Sequence, residues 1–392
     1  MSNHRVMVVH NAYRLRGGED AVVDAELALL RQRGHAVEAF TRHNDELDQL
    51  PAAQAALDTV WSRRTVADMS AEISRFKPDV VHFHNTFPLI SPSAYWTVRR
   101  AGLPVIQTIH NFRLHCPQAM YLRDGKVCED CNGRVPWRSV QHACYRESRV
   151  QSALLSTMLV THRAIGTYRN QVTRYIALND FCRNKLIEGG LPAERIVIKP
   201  NFVDLAAPTD TVRAGFLFVG RLSPEKGLGV LLSAWEQSDH CAPLRIAGSG
   251  PQDQLVRDCA GVEQLGALPS TAIRTHMETA AALILPSICY ESFPRTLVEA
   301  FAARLPVIAG RIGPLADLID DGVTGLLYES ADSHALAQCM RWAAQHPVEL
   351  AAMGRNARLV YEQKFTAEIN YRQLIAIYDE ALAAVAVESR PR

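Results

Sequence analysis

The sequence predicts an α/β protein with two doubly wound parallel sheets, one in each half of a 392-residue chain. Three observations support this prediction. The length exceeds what one ordinary hydrophobic core fills and suits two domains. Short apolar runs alternate with amphipathic stretches of helical length, which is typical of parallel sheets covered by helices. The alternation starts again after residues 200–213, a stretch with two prolines and little periodic apolar character that we interpret as the interdomain linker.

The predicted elements follow the chain in order. In the first half the strands are expected at the apolar runs 6–10, 37–40, 80–84, 104–110, 175–178 and 196–198, and the amphipathic stretch 20–33 predicts a helix ended by Gly34. In the second half they are expected at 216–219, 244–247, 262–265, 281–285 and 306–309, with helices at 335–345 and 368–384. We therefore expect domains at 1–205 and 206–365, and a C-terminal helix within 366–392 that packs back toward the first domain.

Composition excludes several classes of protein. With 48% apolar and 21% charged residues the chain reads as an ordinary globular protein. No apolar run approaches the ~20 residues that a membrane span needs, and no secretory leader is visible, so we expect a cytoplasmic protein. Nine cysteines in that compartment argue against a disulfide framework.

Charge is unevenly distributed along the chain. Residues 1–200 carry a formal net charge of +7 and the remainder −6. A basic first half is compatible with peripheral association at the anionic inner face of a membrane, although scatter of surface charge explains the asymmetry equally well.

In open α/β sheets, ligands bind outside the carboxyl ends of the strands, where helix N-termini offer free N–H groups. After the first predicted strand, Gly17 and Gly18 precede a helix, and residues without Cβ let a phosphate or sugar approach the backbone. Alone, a Gly-Gly pair more often marks only a turn. It also lacks the G-x-G-x-x-G pattern, so a nicotinamide dinucleotide gains no support.

Two pairs of charged residues mark the second half. Arg221 and Lys226 follow a strand and precede a helix, which suits a diphosphate, although a solvated basic loop has the same composition. Glu291 is expected in a loop, where its carboxylate can accept hydrogen bonds from two sugar hydroxyls. Glu299 is expected inside an otherwise apolar helix, where a carboxylate needs a partner, either a ribose diol or a structural arginine.

Taken together, these motifs resemble the family 4 retaining glycosyltransferases, which have the GT-B architecture of two Rossmann-like domains. The resemblance covers nearly the whole chain. It is carried in order by the Gly17-Gly18 loop, residues 108–111 (Thr-Ile-His-Asn), 220–227, 247–251, the Glu291-x7-Glu299 pair and 321–326. One departure is Arg304, where the family usually has a small residue, often glycine.

The resemblance implies roles for the matched positions. Arg221 and Lys226 would hold the diphosphate and stabilise the leaving group, and Glu299 would bind the ribose. Glu291 would bind the donor sugar, with His110 at its reacting face. The remaining donor-binding positions are Gly17, Gly18, Gly248, Phe293, Pro294 and Thr296.

The implied partners are a nucleotide-diphosphate sugar, with UDP favoured by family frequency, and a saccharide or lipid-linked acceptor. No Asp-x-Asp motif occurs in the chain, so no cofactor or metal is expected in catalysis and cationic side chains would neutralise the departing diphosphate. Transfer would retain the configuration of the anomeric carbon without a protein nucleophile.

Four of the cysteines, Cys116, Cys128, Cys131 and Cys144, fall within an insertion at residues 113–148. The two-residue spacing of Cys128 and Cys131, followed closely by a glycine, is typical of a knuckle that binds structural zinc. His115 and His142 are alternative ligands. Reduced thiols without metal, or an iron–sulfur cluster, are the other interpretations of this segment.

Two rival functions remain at the level of sequence. A sugar-nucleotide epimerase or a phosphorylase would use the same two-domain scaffold. A zinc-dependent nucleic-acid-binding protein would use the knuckle and the basic half, but it would leave the second half without a purpose, so we expect no nucleic-acid partner.

Overall fold

A computed structural model describes residues 3–208 and 211–388 of the chain, and the chain divides into two compact units. Unit 1 consists of Met1–Ala119, Glu129–Asn201 and Asn370–Arg392, and unit 2 of Met120–Cys128 and Phe202–Ile369. Two positions of the predicted linker, 209 and 210, and the last four of the predicted C-terminal segment, 389–392, lie outside the described residues.

Unit 1 contains a six-stranded sheet in which every neighbouring pair is parallel. Its strands are β1 (Arg5–Ala12), β2 (Ala36–His43), β3 (Val80–Phe83), β4 (Val105–Thr108), β7 (Arg174–Ala177) and β8 (Ile196–Ile198). The spatial order is β2-β1-β3-β4-β7-β8, so the chain leaves β1 toward one edge and returns to continue on the other side. The point between β1 and β3 is therefore the topological switch point, where sheets of this type bind ligands.

In the described part of unit 1 the helices before the second sheet are α1 (Gly18–Gln32), α2 (Ala52–Val60), α3 (Arg63–Phe76), α4 (Ser93–Arg100), α5 (Trp137–Gln141), α6 (Arg149–Ala164) and α7 (Asp180–Glu188). The first begins two residues before the predicted start, with Gly17 as its N-cap, and Gly34 has the left-handed φ of +88° that commonly follows a helix end. Its buried apolar stripe includes Val22, Leu29 and Leu30.

Unit 2 contains a second six-stranded parallel sheet. Its strands are β9 (Phe216–Val219), β10 (Leu244–Ala247), β11 (Glu263–Gly266), β12 (Ala282–Leu285), β13 (Val307–Gly310) and β14 (Gly325–Tyr328), in the order β11-β10-β9-β12-β13-β14. The switch point here lies between β9 and β12. The prediction of two doubly wound α/β sheets is confirmed, while β14 was missed.

The helices of unit 2 are α8 (Leu228–Gln237), α9 (Asp253–Arg257), α10 (Ser270–Thr279), α11 (Arg295–Ala302), α12 (Pro314–Leu318), α13 (Ser333–Gln345) and α14 (Pro347–Lys364). They pack on the sheet around a core that includes Phe216, Phe218, Trp235 and Met340. A last helix, α15 (Ala367–Glu388), carries the chain from unit 2 into unit 1. None of the described helices is both long and apolar enough to cross a membrane.

The predicted insertion is divided between the two units instead of belonging wholly to the first. Residues Met120–Cys128 group with unit 2 and contain a short antiparallel hairpin, β5 (Leu122–Arg123) and β6 (Lys126–Val127). Tyr121, before the hairpin, is fully buried, and its ring centroid lies 5.9 Å from that of Tyr290 in the same unit. This aromatic contact is one reason why the hairpin groups with unit 2.

The backbone conformation at Arg304 explains why the family usually has a small residue at this position. It lies two residues after α11 with a φ of +55°, a left-handed conformation that glycine adopts without steric cost. An arginine there costs about 1–2 kcal/mol of backbone strain. The small residue usual at this position is thus a helix-ending residue, and the substitution lies outside the candidate site.

Candidate functional site

The charged residues of unit 2 lie at the switch point of its sheet. Lys226 ends a single 3₁₀ turn after β9, and Glu291 lies in the loop after β12. The Lys226 Nζ is 2.8 Å from Glu291 Oε2, and the Ser287 hydroxyl donates a hydrogen bond to the other carboxylate oxygen. Two sequence-predicted residues that are 65 positions apart are therefore brought into one ion pair.

Burial and pairing act in opposite directions on this ion pair. Burial by itself raises the pKa of Glu291, but Lys226 and the Ser287 hydroxyl outweigh it and lower the pKa below its ordinary value. Burial likewise lowers the pKa of Lys226, and Glu291 more than offsets it, so the pKa is raised. Both groups are ionised at neutral pH, and the site presents a cation that is held in place by its own carboxylate.

Glycines fix the backbone around this pair. Gly248, after β10, has a φ of +149°, and a Cβ there would lie 1.8 Å from the carbonyl oxygen of Gly220. A Cβ on Gly250 would lie 2.5 Å from the carbonyl oxygen of Leu222. The loops after β9 and β10 therefore pack backbone against backbone, which places Arg221 at the carboxyl end of β9 with its side chain exposed.

Glu299 has the protein partner that the sequence left as an alternative. It lies in the second turn of α11, and its Oε1 is 3.0 Å from Arg295 Nε. Burial raises the pKa of Glu299, and Arg295 only partly offsets this shift. A structural arginine is thus present beside Glu299, and binding of a ribose by this carboxylate stays a prediction.

The other predicted donor-binding residues surround the start of α11. Pro294 is its N-cap residue and Thr296 its second residue. Phe293 is buried, with its ring centroid 5.9 Å from that of Phe365. These three residues place the N-terminus of an eight-residue helix directly after the Glu291 loop.

In unit 1 the predicted Gly-Gly loop follows β1. Gly17 has an extended φ of −115°, and a Cβ on Gly18 would meet no atom within 4 Å. Neither glycine is therefore required by a left-handed turn or by a close internal contact. The carboxylate of Asp20 fixes the loop instead, since it accepts hydrogen bonds from the backbone N–H groups of Gly17 at 2.7 Å and Tyr13 at 3.3 Å. Exposed glycines at a helix N-terminus leave its N–H groups open to a ligand.

His110 lies two residues beyond the end of β4 and is partly exposed. Its Nε2 forms a 2.8 Å hydrogen bond with Nδ1 of His84, which follows β3 and is buried. Burial, followed by the neighbouring His84, lowers the pKa of His110 well below its ordinary value. The ring is therefore neutral at pH 7.

Sequence reasoning missed a buried polar cluster behind His110. It consists of Glu26, His82, His84 and Lys199, all at most 3% exposed. Glu26 falls on the apolar stripe of α1, and a carboxylate at such a position is a sequence signal from which the cluster could have been suspected. Glu26, His82 and His84 each place one potential metal-ligand atom within 4.8 Å of the other two. No other group of three or more Asp, Glu, His or Cys residues does so among the described residues.

The cysteines of the insertion are not brought into such a group in the part of the chain that the structure describes. Cys116 and Cys131 are buried, and Cys128 and Cys144 are partly exposed. Gly133 has a left-handed φ of +65°, as a knuckle turn requires. His115 is buried, neither of its ring nitrogens has a hydrogen-bond partner among the described residues, and burial together with Arg163 lowers its pKa to about 3.

A cavity of about 480 Å³ lies elsewhere, at the amino ends of the unit 2 strands. Residues such as Gly215, Pro243 and Pro306 line it, and each directly precedes a strand. Ligand sites in such sheets lie at the carboxyl ends, where Lys226 and Glu291 are found, so this cavity is not part of the candidate site.

Solved structures with the same fold are glycosyltransferases and related enzymes. The Anabaena protein Alr3699/HepE aligns over 96% of this chain and 100% of its own, with a TM-score of 0.67 at 16% sequence identity. Sucrose-phosphate synthase from Thermosynechococcus elongatus aligns over 97% of this chain and 99% of its own, with a TM-score of 0.72 at 18% identity. At this identity the similarity establishes the fold, which is GT-B with two Rossmann-like domains.

Sequence comparison establishes the family. Residues 16–207 match the family described as Glycosyltransferase Family 4, and residues 213–346 match Glycosyl transferases group 1. Glycogen synthase of Mycobacterium tuberculosis is 30% identical over 81% of this chain and 72% of its own length. The protein belongs to glycosyltransferase family 4.

Other curated relatives match over shorter stretches. D-rhamnosyltransferase WbpZ of Pseudomonas aeruginosa is 35% identical over 39% of this chain and 42% of its own length. The amylovoran biosynthesis glycosyltransferase AmsK of Erwinia amylovora is 30% identical over 50% of this chain and 54% of its own length. The chain thus spans about half the length of these relatives.

Proposed function

We propose that the protein is a retaining glycosyltransferase that moves a hexosyl group from a nucleotide-diphosphate sugar to a saccharide or lipid-linked acceptor. The observation that carries this proposal is the Lys226–Glu291 ion pair at the switch point of the unit 2 sheet, beside the exposed Arg221. A cation held by a carboxylate at the carboxyl ends of parallel strands suits a sugar diphosphate, because the cation faces the phosphates and the carboxylate can accept sugar hydroxyls.

In the proposed reaction, the bond between the anomeric carbon and the β-phosphate oxygen breaks, and the acceptor oxygen bonds to that carbon on the same face. The acceptor's proton passes to the departing phosphate. Lys226 and Arg221 neutralise the charge that develops on the diphosphate, so no divalent metal is needed. His110 acts at the reacting face of the donor sugar, and the open Gly17–Gly18 backbone at the N-terminus of α1 binds the donor.

UDP is the proposed nucleotide. Solved structures of the Anabaena neighbour contain UDP or UDP-glucose, and the curated relatives include enzymes of polysaccharide biosynthesis. An assay of purified protein with UDP-sugars, with and without a saccharide acceptor, tests the proposal. Transfer that requires the acceptor supports it. Epimerised nucleotide sugar formed without acceptor would indicate an epimerase, and phosphate-dependent cleavage of a glycoside would indicate a phosphorylase.

The two glutamates should separate binding from turnover. Glu299→Ala should weaken nucleotide-diphosphate binding about tenfold or more, because Glu299 is proposed to hold the ribose. Glu291→Ala should leave nucleotide affinity near the wild-type value and mainly lower kcat, because it releases Lys226 and the donor sugar. Isothermal titration with UDP and steady-state kinetics measure the two effects. Unchanged UDP affinity in both variants would remove the ribose assignment and leave Glu299 as the partner of Arg295.

We also propose that the insertion binds one structural zinc through Cys128, Cys131 and two of Cys116, Cys144, His115 and His142. The left-handed Gly133 after the Cys-x-x-Cys spacing and the buried His115 without hydrogen bonds support this proposal. Elemental analysis should find about one zinc per chain.

A short exposure to EDTA should leave transfer intact, since the proposed catalysis needs no metal. Rapid loss that magnesium reverses would contradict metal independence, and zinc-free protein with full activity would contradict the zinc site.

A further inference from the structure

The buried cluster of unit 1 contains an ion pair that stability alone does not explain. Glu26 on α1 and Lys199 after β8 are each 1% exposed, and Lys199 Nζ lies 3.1 Å from Glu26 Oε2 and 3.3 Å from Asn370 Oδ1. Removing two charges from water costs several kcal/mol per ion, and apolar side chains of similar volume often replace such pairs without loss of stability. A role beyond folding is therefore expected for this pair.

The two oxygens of Glu26 have different neighbours. Oε2 faces Lys199, whereas Oε1 lies 2.9 Å from His82 Nδ1 and 3.2 Å from His84 Nε2. Neither contact is an aligned hydrogen bond, and the one with His84 is the longer. It still decides which ring nitrogen carries the proton, because a lone pair at 3.2 Å from a carboxylate oxygen would be repelled and an N–H would be attracted.

The proton on His84 then determines the proton on His110. Burial lowers the pKa of His84 to about 3, so its ring is neutral and has one N–H. With that hydrogen on Nε2, facing Glu26, the His84 Nδ1 is a hydrogen-bond acceptor. His110 Nε2, at 2.8 Å, must therefore donate, and since His110 is also neutral, its Nδ1 is left as an acceptor.

We infer that Glu26 is a positioning residue, which acts through His84 to hold His110 in the tautomer with its proton on Nε2 and an acceptor at Nδ1. Lys199 keeps Glu26 ionised and turned toward the histidines. The inference rests on the proposed function in one respect, the action of His110 at the donor sugar. In this tautomer His110 accepts a hydrogen bond from a sugar hydroxyl and has no proton on Nδ1 to give.

A metal ion is the alternative explanation for the converging donor atoms of Glu26, His82 and His84. The charges argue against it. Without metal, Glu26 and Lys199 give the cluster no net charge, whereas a divalent cation would add two positive charges beside a buried ammonium group. The tilted His82 and His84 rings, 4.4 Å apart between centroids, instead share one carboxylate oxygen.

The first test uses wild-type protein with ¹⁵N-labelled histidine. The nitrogen shifts of an imidazole distinguish a protonated from an unprotonated ring nitrogen, and the His84→Gln and His110→Gln variants assign the signals. Both rings should be protonated on Nε2 and unprotonated on Nδ1. A proton on Nδ1 of His110 in the wild-type protein would overturn the inference.

The second test removes the ion pair as a unit in the Glu26→Leu/Lys199→Met double variant, which leaves no buried charge unpaired. We expect kcat to fall about 10- to 100-fold, the size of effect found for partners that orient a metal-ligating histidine. UDP affinity and the donor KM should stay near wild-type values, and the His110 signal should show mixed tautomers. His162→Gln is the matched control, because His162 is fully buried and bonds to Thr167 and the Val60 carbonyl instead of this cluster.

The outcomes separate this inference from the proposed function. If His110→Ala retains full transfer, the proposed role of His110 is wrong. If His110→Ala loses transfer while the double variant keeps wild-type kcat and a single tautomer, the role of His110 stands and the positioning role of Glu26 is wrong. Metal bound to the wild-type protein and lost from the double variant would also overturn the inference.

Discussion

The two units place ionisable side chains at the carboxyl ends of similar sheets in opposite ways. In unit 2, Lys226 and Glu291 are charged and reach the surface, with side chains 29% and 13% exposed. In unit 1, the charges of Glu26 and Lys199 are sealed inside, and the partly exposed residue is the neutral His110. One sheet thus has charged side chains at the surface, and the other encloses its charges next to an uncharged ring.

The backbone shows the same contrast. Gly248 and Gly250 of unit 2 are glycines because two loops touch, whereas Gly17 and Gly18 of unit 1 touch nothing that would exclude a side chain. The first pair serves folding, whereas no internal contact requires the second pair, which we have proposed to bind the donor at the helix N-terminus. The comparison shows that a glycine motif can be assigned to folding or to ligand binding only when the atoms around each glycine are known.

The largest expected effect is on the exposed cation. Lys226→Ala should lower kcat/KM for transfer about 10²- to 10³-fold, because it removes the charge that is proposed to stabilise the departing diphosphate and leaves Glu291 without its cation. Lys364→Ala is the matched control, since Lys364 is exposed in the same unit at the end of α14. Steady-state kinetics with a UDP-sugar measure both variants. Equal activity of the two would mean that unit 2 does not bind its ligand through this cation.

An intermediate effect should separate the two kinds of glycine. Gly248→Ala should destabilise the protein by about 3 kcal/mol or more. The new Cβ would collide with the carbonyl oxygen of Gly220, and the φ of +149° is one that residues with a Cβ rarely adopt. Gly18→Ala should change stability by less than about 1 kcal/mol but lower kcat/KM about tenfold or more, since it narrows the approach to the N-terminus of α1. Urea unfolding measures the change in stability of both variants, and steady-state kinetics measure the change in kcat/KM. Full activity in Gly18→Ala would reduce that glycine to an ordinary turn residue.

The smallest effect concerns acid stability. The pKa of Glu291 is lowered in the folded state, so its ion pair stabilises the fold above the ordinary value of 4.5 and this contribution is lost as pH falls through the folded pKa. The pKa of Glu299 is raised, so protonation of that group favours the folded state already above pH 4.5. Urea unfolding from pH 7 to about 3 should show a shallower acid loss in Glu291→Gln than in wild type. In Glu299→Gln, the gain above pH 4.5 should disappear. If the free energy of unfolding depended on pH in the same way in wild type and both variants, the pKa shifts assigned to Glu291 and Glu299 would be contradicted.

Much of the fold could be predicted because buried parallel strands are short apolar runs. The strands Ile196–Ile198, Phe216–Val219 and Leu244–Ala247 were predicted to the residue, and the ends of the other predicted strands were displaced by at most three positions. The strand Gly325–Tyr328 was missed because it is short and directly follows the turn at 321–324, and its first two residues were considered only as part of the motif 321–326. The hairpin at Leu122–Arg123 and Lys126–Val127 has too few apolar residues to predict strands.

The candidate site divides in the same way. Arg221, Lys226 and Glu291 could be identified because each lies in the loop region that follows a strand and belongs to a motif. Glu26 interrupts an apolar stripe, which was visible, but its partner Lys199 lies 173 residues away. Such pairing depends on tertiary structure, so one sequence could mark the anomaly at Glu26 and could not supply its explanation.

The division of the chain between the units has a consequence for the order of folding during synthesis. Unit 1 is built from both ends of the chain, and the Asn370 and Tyr378 side chains contact Lys199 and His82 from α15. These two contacts cannot form until the ribosome has translated all of unit 2. The nascent first half therefore has to wait with Glu26 and Lys199 incompletely enclosed, and unit 2, complete by residue 369, is able to fold first. The last helix can therefore complete unit 1 only after all of unit 2 has been synthesised.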